Sequence, residues 1–173
     1  MTQSLVGRVL GSYRIERELG AGGMGAVYAG KHLRTGRTYA VKVLLPEHAQ
    51  RRDALRRFRR EAEALSALGH AHIVAIHDYD ETEDGLFFLA MDLLEGEDLA
   101  HRLERSGRLP WLEAALLVDA VASAIEAAHG LGMVHRDLKP SNVFLARTPG
   151  ADGERPVLLD FGLARALDDD AEH

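Results

Sequence analysis

His135-Arg136-Asp137-Leu138-Lys139-Pro140-Ser141-Asn142 puts a carboxylate, a positive charge and an amide within eight residues. The stretch follows a long apolar helical run and precedes the short apolar run Val143-Phe144-Leu145, so it reads as a loop hung from a buried helix. Eighteen residues past Asn142 comes Asp160-Phe161-Gly162. A positioned aspartate can take or orient a proton, and an amide oxygen with a second carboxylate can hold a hard cation. The competing reading of Asp137 and Asn142 is that they only cap their loop.

Outward from this loop the chain is helical on one side and extended on the other. The run from Pro110 to about His129 is apolar around most of its circumference, which predicts a helix central to its lobe. Pro110 suits its first turn, and Gly130 and Gly132 end it. Asp98 to Arg105 reads as a short helix stopped by Gly107, and Asp92 to Gly96 as a hinge. After the loop, Val143–Ala146 and Val157–Leu159 read as short strands, the second delivering Asp160. Between them Arg147 to Pro156 reads as a polar loop.

The N-terminal half changes period. Tyr13, Ile15 and Leu19 fall on alternate positions of a strand. Gly20-Ala21-Gly22-Gly23-Met24-Gly25 follows, and Ala26-Val27-Tyr28 opens a second strand. A dinucleotide-binding turn would need a helix there, and a P-loop would need Gly-Lys-Ser/Thr, which is absent. A plain hairpin turn remains open, although glycines at this spacing exceed what a turn needs. Thr38–Leu44 is a third strand with Lys42 inside its apolar run; it is either an edge residue facing solvent or aimed at phosphate. From Arg51 to Leu68 the spacing of Phe58, Ala62 and Leu65 predicts a helix with Glu61 on its inward face, where a carboxylate calls for a cation such as Lys42. Ile73–Tyr79 and Leu86–Met91 read as a fourth and a fifth strand.

Composition sets the outer limits. The chain has 173 residues, 46% hydrophobic and 28% charged, an ordinary globular balance. A net charge of −6 gives no bulk attraction to nucleic acid. Without Cys there is neither a disulfide framework nor thiolate chemistry, which suits a reducing cytoplasm. Ala114–Ala128, interrupted by Asp119 and Glu126, is too short and too charged to span a bilayer, and the N-terminus lacks the apolar core of a secretory signal. His70, His72, His101 and His129 have no metal-ligand spacing and read as structural.

Gly20-x-Gly22-x-x-Gly25-x-Val27, Ala40-Val41-Lys42, Glu61, His135-Arg136-Asp137-x-x-x-x-Asn142 and Asp160-Phe161-Gly162, in this order over residues 13 to 165, resemble the protein kinase family, in the Ser/Thr form common in bacteria. The resemblance implies an α+β, two-lobed fold. A five-stranded N-terminal lobe with one helix would occupy 13–91, a hinge 92–96, and an incomplete, mainly helical C-terminal lobe 97–173. It implies ATP and Mg²⁺ as cofactors and a protein Ser/Thr hydroxyl as acceptor. Gly20, Ala21, Gly22, Gly23 and Gly25 would cover the phosphates, and Lys42, held by Glu61, would fix them. Asn142 and Asp160 would hold the metal, Asp137 would orient the hydroxyl, and Lys139 would approach the γ-phosphate. Val27, Ala40 and Phe144 would enclose the adenine, Met91 would guard the back of the pocket, and the backbone of Asp92 to Leu94 would bond the adenine edge. Asp98 would either bind ribose or cap its helix. Leu65, Ile76, His135 and Phe161 resemble the family's packed column.

The resemblance stops early in the activation segment: nothing matches Ala-Pro-Glu, and residues 166–173 offer no Ser, Thr or Tyr. A fragment of this kind is expected to transfer phosphate poorly alone, and to expose apolar helix surface that invites self-association or a partner. The alternative function is therefore a truncated nucleotide-binding or interaction module. A small-molecule phosphotransferase is disfavoured by Arg136 and Lys139.

Overall fold

Alternating apolar residues build one sheet, and a helical region with a smaller sheet follows it. The computed structural model describes residues 4–22, 25–44, 62–147, 150 and 153–161. Of the helix expected over 51–68 only 62–68 are described, and they are helical (α1). Glu61, Gly23, Gly162 and the acidic end lie outside the described residues. The chain divides into two units, one of residues up to Ala62 with Ile76–Leu93, the other of Glu63–Ala75 with Leu94–Arg165.

The first unit is an antiparallel sheet. Its strands are β1 (Val9–Leu10), β2 (Tyr13–Gly22), β3 (Gly25–His32), β4 (Thr38–Leu44), β5 (Ile76–Glu81) and β6 (Phe87–Met91), in the order β1-β2-β3-β4-β6-β5. The expected five strands gain a sixth because Val9 and Leu10 fold back to pair with Arg14 and Tyr13. One sheet face carries the core: Leu10, Tyr13, Ile15, Tyr28, Tyr39, Val41, Val43, Phe88 and Ala90. Burial pushes the Tyr13 phenol up to about 12, helped by the Asp78 carboxylate beside it. Register shifts between Ile15 and Arg17, and between Glu18 and Gly20, bulge β2. That resets the alternation, so Leu19, expected among the buried residues, is exposed.

The fourth strand begins later than the apolar run suggests. Ile73 bridges Leu158, and the Val74 N–H donates to the Leu158 carbonyl at 3.0 Å, both within the second unit. The strand of the first unit starts at Ile76. An apolar run looks the same whether its two halves share a partner or not, because the partner is distant in sequence.

The second unit holds α1 beyond Ala62, α2 (Leu99–Ser106), α3 (Trp111–Gly130) and a sheet of β7 (Gly96–Asp98), β8 (Val143–Arg147) and β9 (Glu154–Leu158). Gly96, expected in the hinge, instead opens β7. A Cβ there would lie 2.0 Å from the Leu145 carbonyl oxygen, so only glycine lets β7 lie against β8. The expected loop 147–156 is shorter than predicted, since Glu154, Arg155 and Pro156 pair with Arg147, Ala146 and Leu145. Arg102 of α2 bonds Glu97 of β7 at 2.6 Å and Glu154 of β9 through both carboxylate oxygens at 2.8 and 2.7 Å, tying these elements together. These bonds hold the Glu97 carboxyl below its usual range.

Helix α3 is less buried than a helix central to its lobe, and it exposes apolar surface as expected. Only Leu117, Ala124 and Ala128 are buried, a narrow stripe, while Trp111 is 79% exposed and Leu112, Leu116 and Val118 are also exposed. No helix among the described residues is long and apolar enough to cross a membrane.

Candidate active site

In the first unit the site residues are gathered by strand register. Residues directly opposite in antiparallel strands share a face. Gly20 opposes Val27, Val27 opposes Lys42, and Lys42 opposes Leu89. Ala40 opposes Met91. Gly20, Val27, Ala40, Lys42 and Met91 therefore lie on one face, opposite the aromatic core. Lys42 is only 7% exposed, so it is not the solvent-facing edge lysine that its strand position allowed.

The glycines of the β2–β3 hairpin are needed for different reasons. Gly25 has φ +153, and a Cβ on it would lie 2.0 Å from the Val43 carbonyl oxygen, so the close approach of β3 to β4 demands glycine. A Cβ on Gly20 or Gly22 would meet nothing within 4 Å. Among the described residues nothing packed against these positions asks for glycine, and Gly20, Ala21 and Gly22 are exposed.

In the second unit the opening stretch closes on itself. Pro140–Asn142 forms a 3-10 turn, and Asn142, 8% exposed, turns its amide inward. Its Nδ2 donates to the Asp137 carbonyl at 2.8 Å and to Asp137 Oδ2 at 3.0 Å. Lys139 Nζ reaches the same Oδ2 at 2.8 Å. One aspartate oxygen thus takes an amide donor and an ammonium, which fixes the carboxylate's direction. Loop capping is part of this arrangement, since Asn142 does bond the loop backbone.

Asp160 is tied to the same turn, because the Leu159 N–H donates to the Asn142 carbonyl at 2.9 Å. Arg136 (φ 59) and Asp160 (φ 49) are the two non-glycine residues with positive φ among the described residues. Each costs on the order of 1 kcal/mol, and they adjoin or coincide with the two aspartates, as strain held for function does.

His135 binds the two halves of this region. It is 2% exposed, its Nε2 donates to the Leu159 carbonyl at 3.1 Å, and its ring packs on Phe161 at 4.6 Å. The Asp137 N–H donates to the His135 carbonyl at 2.8 Å and points at Nδ1 at 3.4 Å. Both ring contacts suit the neutral Nε2–H tautomer. Burial pushes the imidazole below its usual 6.5, against the pull of the Leu159 carbonyl and the Asp137 and Asp160 carboxylates.

The remaining expected residues fall as follows. Phe144 on β8 directly opposes Asp98 on β7. Asp98 caps α2: Oδ1 accepts the His101 N–H at 3.0 Å and Oδ2 meets the His101 ring at 2.5 Å. Burial alone would raise its carboxyl, but the His101 bonds outweigh burial and hold it low. Asp92 and Leu94 are half-buried in the segment after β6. Leu65 and Ile76 are buried, each in its own unit. His72 Nδ1 donates to the Pro156 carbonyl at 2.8 Å, and His70 Nε2 meets Ser123 Oγ at 3.3 Å.

Two features had no sequence signal. One is the Arg102 cluster, whose acidic partners are far apart in sequence. The other is a bond from His77 Nε2 to Asp92 Oδ1 at 2.6 Å.

Residues 13–173 match the protein kinase domain model. The chain belongs to the protein kinase family. It is 42% identical over 163 residues to the serine/threonine-protein kinase PknJ of Mycobacterium tuberculosis, covering 94% of this chain and 27% of that protein. It is 44% identical over 162 residues to the serine/threonine-protein kinase pkn2 of Myxococcus xanthus, covering 93% of this chain and 19% of that protein. The crystal structure of the M. tuberculosis PknI kinase domain superimposes with a TM-score of 0.81 at 37% identity, over 94% of this chain and 62% of that chain. The chain thus spans about a quarter of the length of the curated kinases it matches. The α+β kinase fold and the bacterial Ser/Thr relationship stand, and the family implies ATP and, as a rule, Mg²⁺.

The donor set fits such a metal. Among the described residues nothing donates to Asn142 Oδ1, and with the Asp160 carboxylate it offers the oxygen ligands that Mg²⁺ takes.

Proposed function

We propose that this chain carries the catalytic groups that transfer the γ-phosphoryl group of ATP to a Ser or Thr hydroxyl of a protein. The observation that carries the reading is the Asp137 carboxylate held from two sides by Lys139 and Asn142. Phosphoryl transfer needs positioning and charge stabilisation more than covalent chemistry. Asp137, fixed at Oδ2, orients the acceptor hydroxyl and takes its proton. Lys139, bonded to that oxygen, supplies the positive charge that steadies the transferred group. Asn142 and Asp160 would hold Mg²⁺, which would supply charge neutralisation at the phosphates. The backbone amides of Gly20, Ala21, Gly22 and Gly25 and the Lys42 ammonium bind the phosphates; the pairing of Lys42 with Glu61 expected from the sequence lies outside the described residues. Val27, Ala40 and Met91 of the first unit and Phe144 of the second are assigned to the adenine, the backbone of Asp92 to Leu94 to its edge, and Asp98 to the ribose beside its capping role.

The two lobes of this reading are 13–91 and 97–173, joined through 92–95 with Gly96 already in β7, and Glu63–Ala75 groups with the second unit. The acceptor is a protein rather than a nucleic acid, in keeping with the net charge of −6. The cytoplasm, where ATP is found, suits a chain without Cys.

A second reading is a nucleotide-binding or interaction module with little transfer. The exposed Trp111, Leu116 and Val118 of α3 favour it, as surface for a partner or a second copy.

Transfer of labelled γ-phosphate to a Ser/Thr-rich protein separates the two. The first reading expects transfer that Asp137→Asn lowers about a thousandfold. Nucleotide binding without any transfer supports the module, and transfer indifferent to Asp137→Asn contradicts the assigned role.

A further inference from the structure

The β5–β6 ladder contains one irregularity. Ile76 opposes Met91 and Asp78 opposes Ala90, so β5 has one residue more than β6 over that step, and the extra residue is His77. A bulge re-aims the side chain it carries. Here the imidazole is turned toward the segment that leaves β6, and Nε2 donates to Asp92 Oδ1 at 2.6 Å. Its other support is the edge of the Tyr39 ring, with centroids 5.0 Å apart. Tyr39 belongs to the aromatic core, packs edge-on to Tyr13 at 5.6 Å, and has the Arg37 guanidinium 5.9 Å over its ring. A ring backed by the core and bonded to a carboxylate one residue past the strand is well placed to hold that backbone in one conformation.

We propose that His77 is a positioning residue for nucleotide binding: through Asp92 it holds the backbone after β6 in the geometry that receives the adenine edge. This rests on the reading of Asp92 to Leu94 given above. A backbone that must bond a flat heterocycle gains affinity when its conformation is set before binding, because ordering is not then subtracted from the binding free energy. The bond joins a strand to the first residue beyond its neighbour, so its loss frees that segment and leaves the core ladder intact.

The test is a double-substitution cycle read by Mg·ATP titration, with melting temperature measured without nucleotide in parallel. His77→Phe keeps the ring on Tyr39 and loses the bond. His77→Gln keeps a donor at nearly the same reach. Asp92→Ala removes the acceptor. His77→Phe and Asp92→Ala should each weaken Mg·ATP binding roughly 3- to 10-fold, the value of one hydrogen bond. The double variant should be no weaker than either single one, and His77→Gln should bind within about twofold of the unmodified chain, less than the loss of a whole hydrogen bond. Melting temperatures without nucleotide should stay together. Equal affinity in all four variants, or losses that simply add, would overturn the proposal. So would losses that follow the melting temperature, since they mark a role in stability alone. Failure of the unmodified chain to bind Mg·ATP would instead overturn the underlying reading, and the proposal with it.

Discussion

Asp137 owes its direction to its neighbours. Its Oδ2 has an amide nitrogen at 3.0 Å and an ammonium at 2.8 Å, and the backbone beneath it is held by His135. Burial in the folded chain disfavours the charged form of that histidine. The consequence for stability has a definite sign. The unfolded chain takes up this proton near pH 6.5 and the folded chain takes it up only lower, so stability is complete above 6.5 and declines as pH falls below it. The decline can reach about 1.4 kcal/mol per pH unit for one proton. Denaturant midpoints at pH 7.5 and 5.5, measured without Mg²⁺, should lie closer together in His135→Gln than in the unmodified chain. An unchanged gap would show that His135 is not the group responsible.

At the scale of elements, the sheet registers decide which glycines matter to the fold. Gly25→Ala should cost about 3 kcal/mol, the order of an overpacked core position, because its Cβ falls 2.0 Å from the Val43 carbonyl. Gly22→Ala should stay within about 0.5 kcal/mol, because its Cβ meets open space. Thermal or urea melts of the two variants check the contrast, and equal losses would contradict it. The strands and the helices α2 and α3 were legible in the sequence because alternation, the 3.6 period and the Pro110 and Gly107 boundaries are local signals. Lys42, Asp137, Asn142 and Asp160 stood out in the sequence by type and spacing, and the structure gathers Asp137, Lys139 and Asn142 around one turn, with Leu159 beside Asp160 bonded to it. What was not legible depends on distant pairing. The bulge that exposes Leu19, the split of Ile73–Tyr79 between two units, the strand at Gly96 and the His77–Asp92 bond are set by partners that a local pattern does not name. Helix α3 shows the same limit from the other side. Its apolar residues predict burial all round, yet the structure covers only the stripe of Leu117, Ala124 and Ala128.

On the scale of the whole molecule, the chain of 173 residues matches the protein kinase domain model over residues 13–173 and divides into two units, one carrying Lys42 and the other Asp137 and Asp160. The central proposal is that Mg·ATP binding depends on Lys42 and on Asp160. The most direct measurement is the melting temperature with and without Mg·ATP, in the unmodified chain, in Lys42→Ala and in Asp160→Ala. At about 100 times the dissociation constant, binding adds about 2.7 kcal/mol, a rise of roughly 5 to 10 °C at this size. The account predicts that rise in the unmodified chain and the loss of most of it in each variant; an equal rise in all three would contradict it.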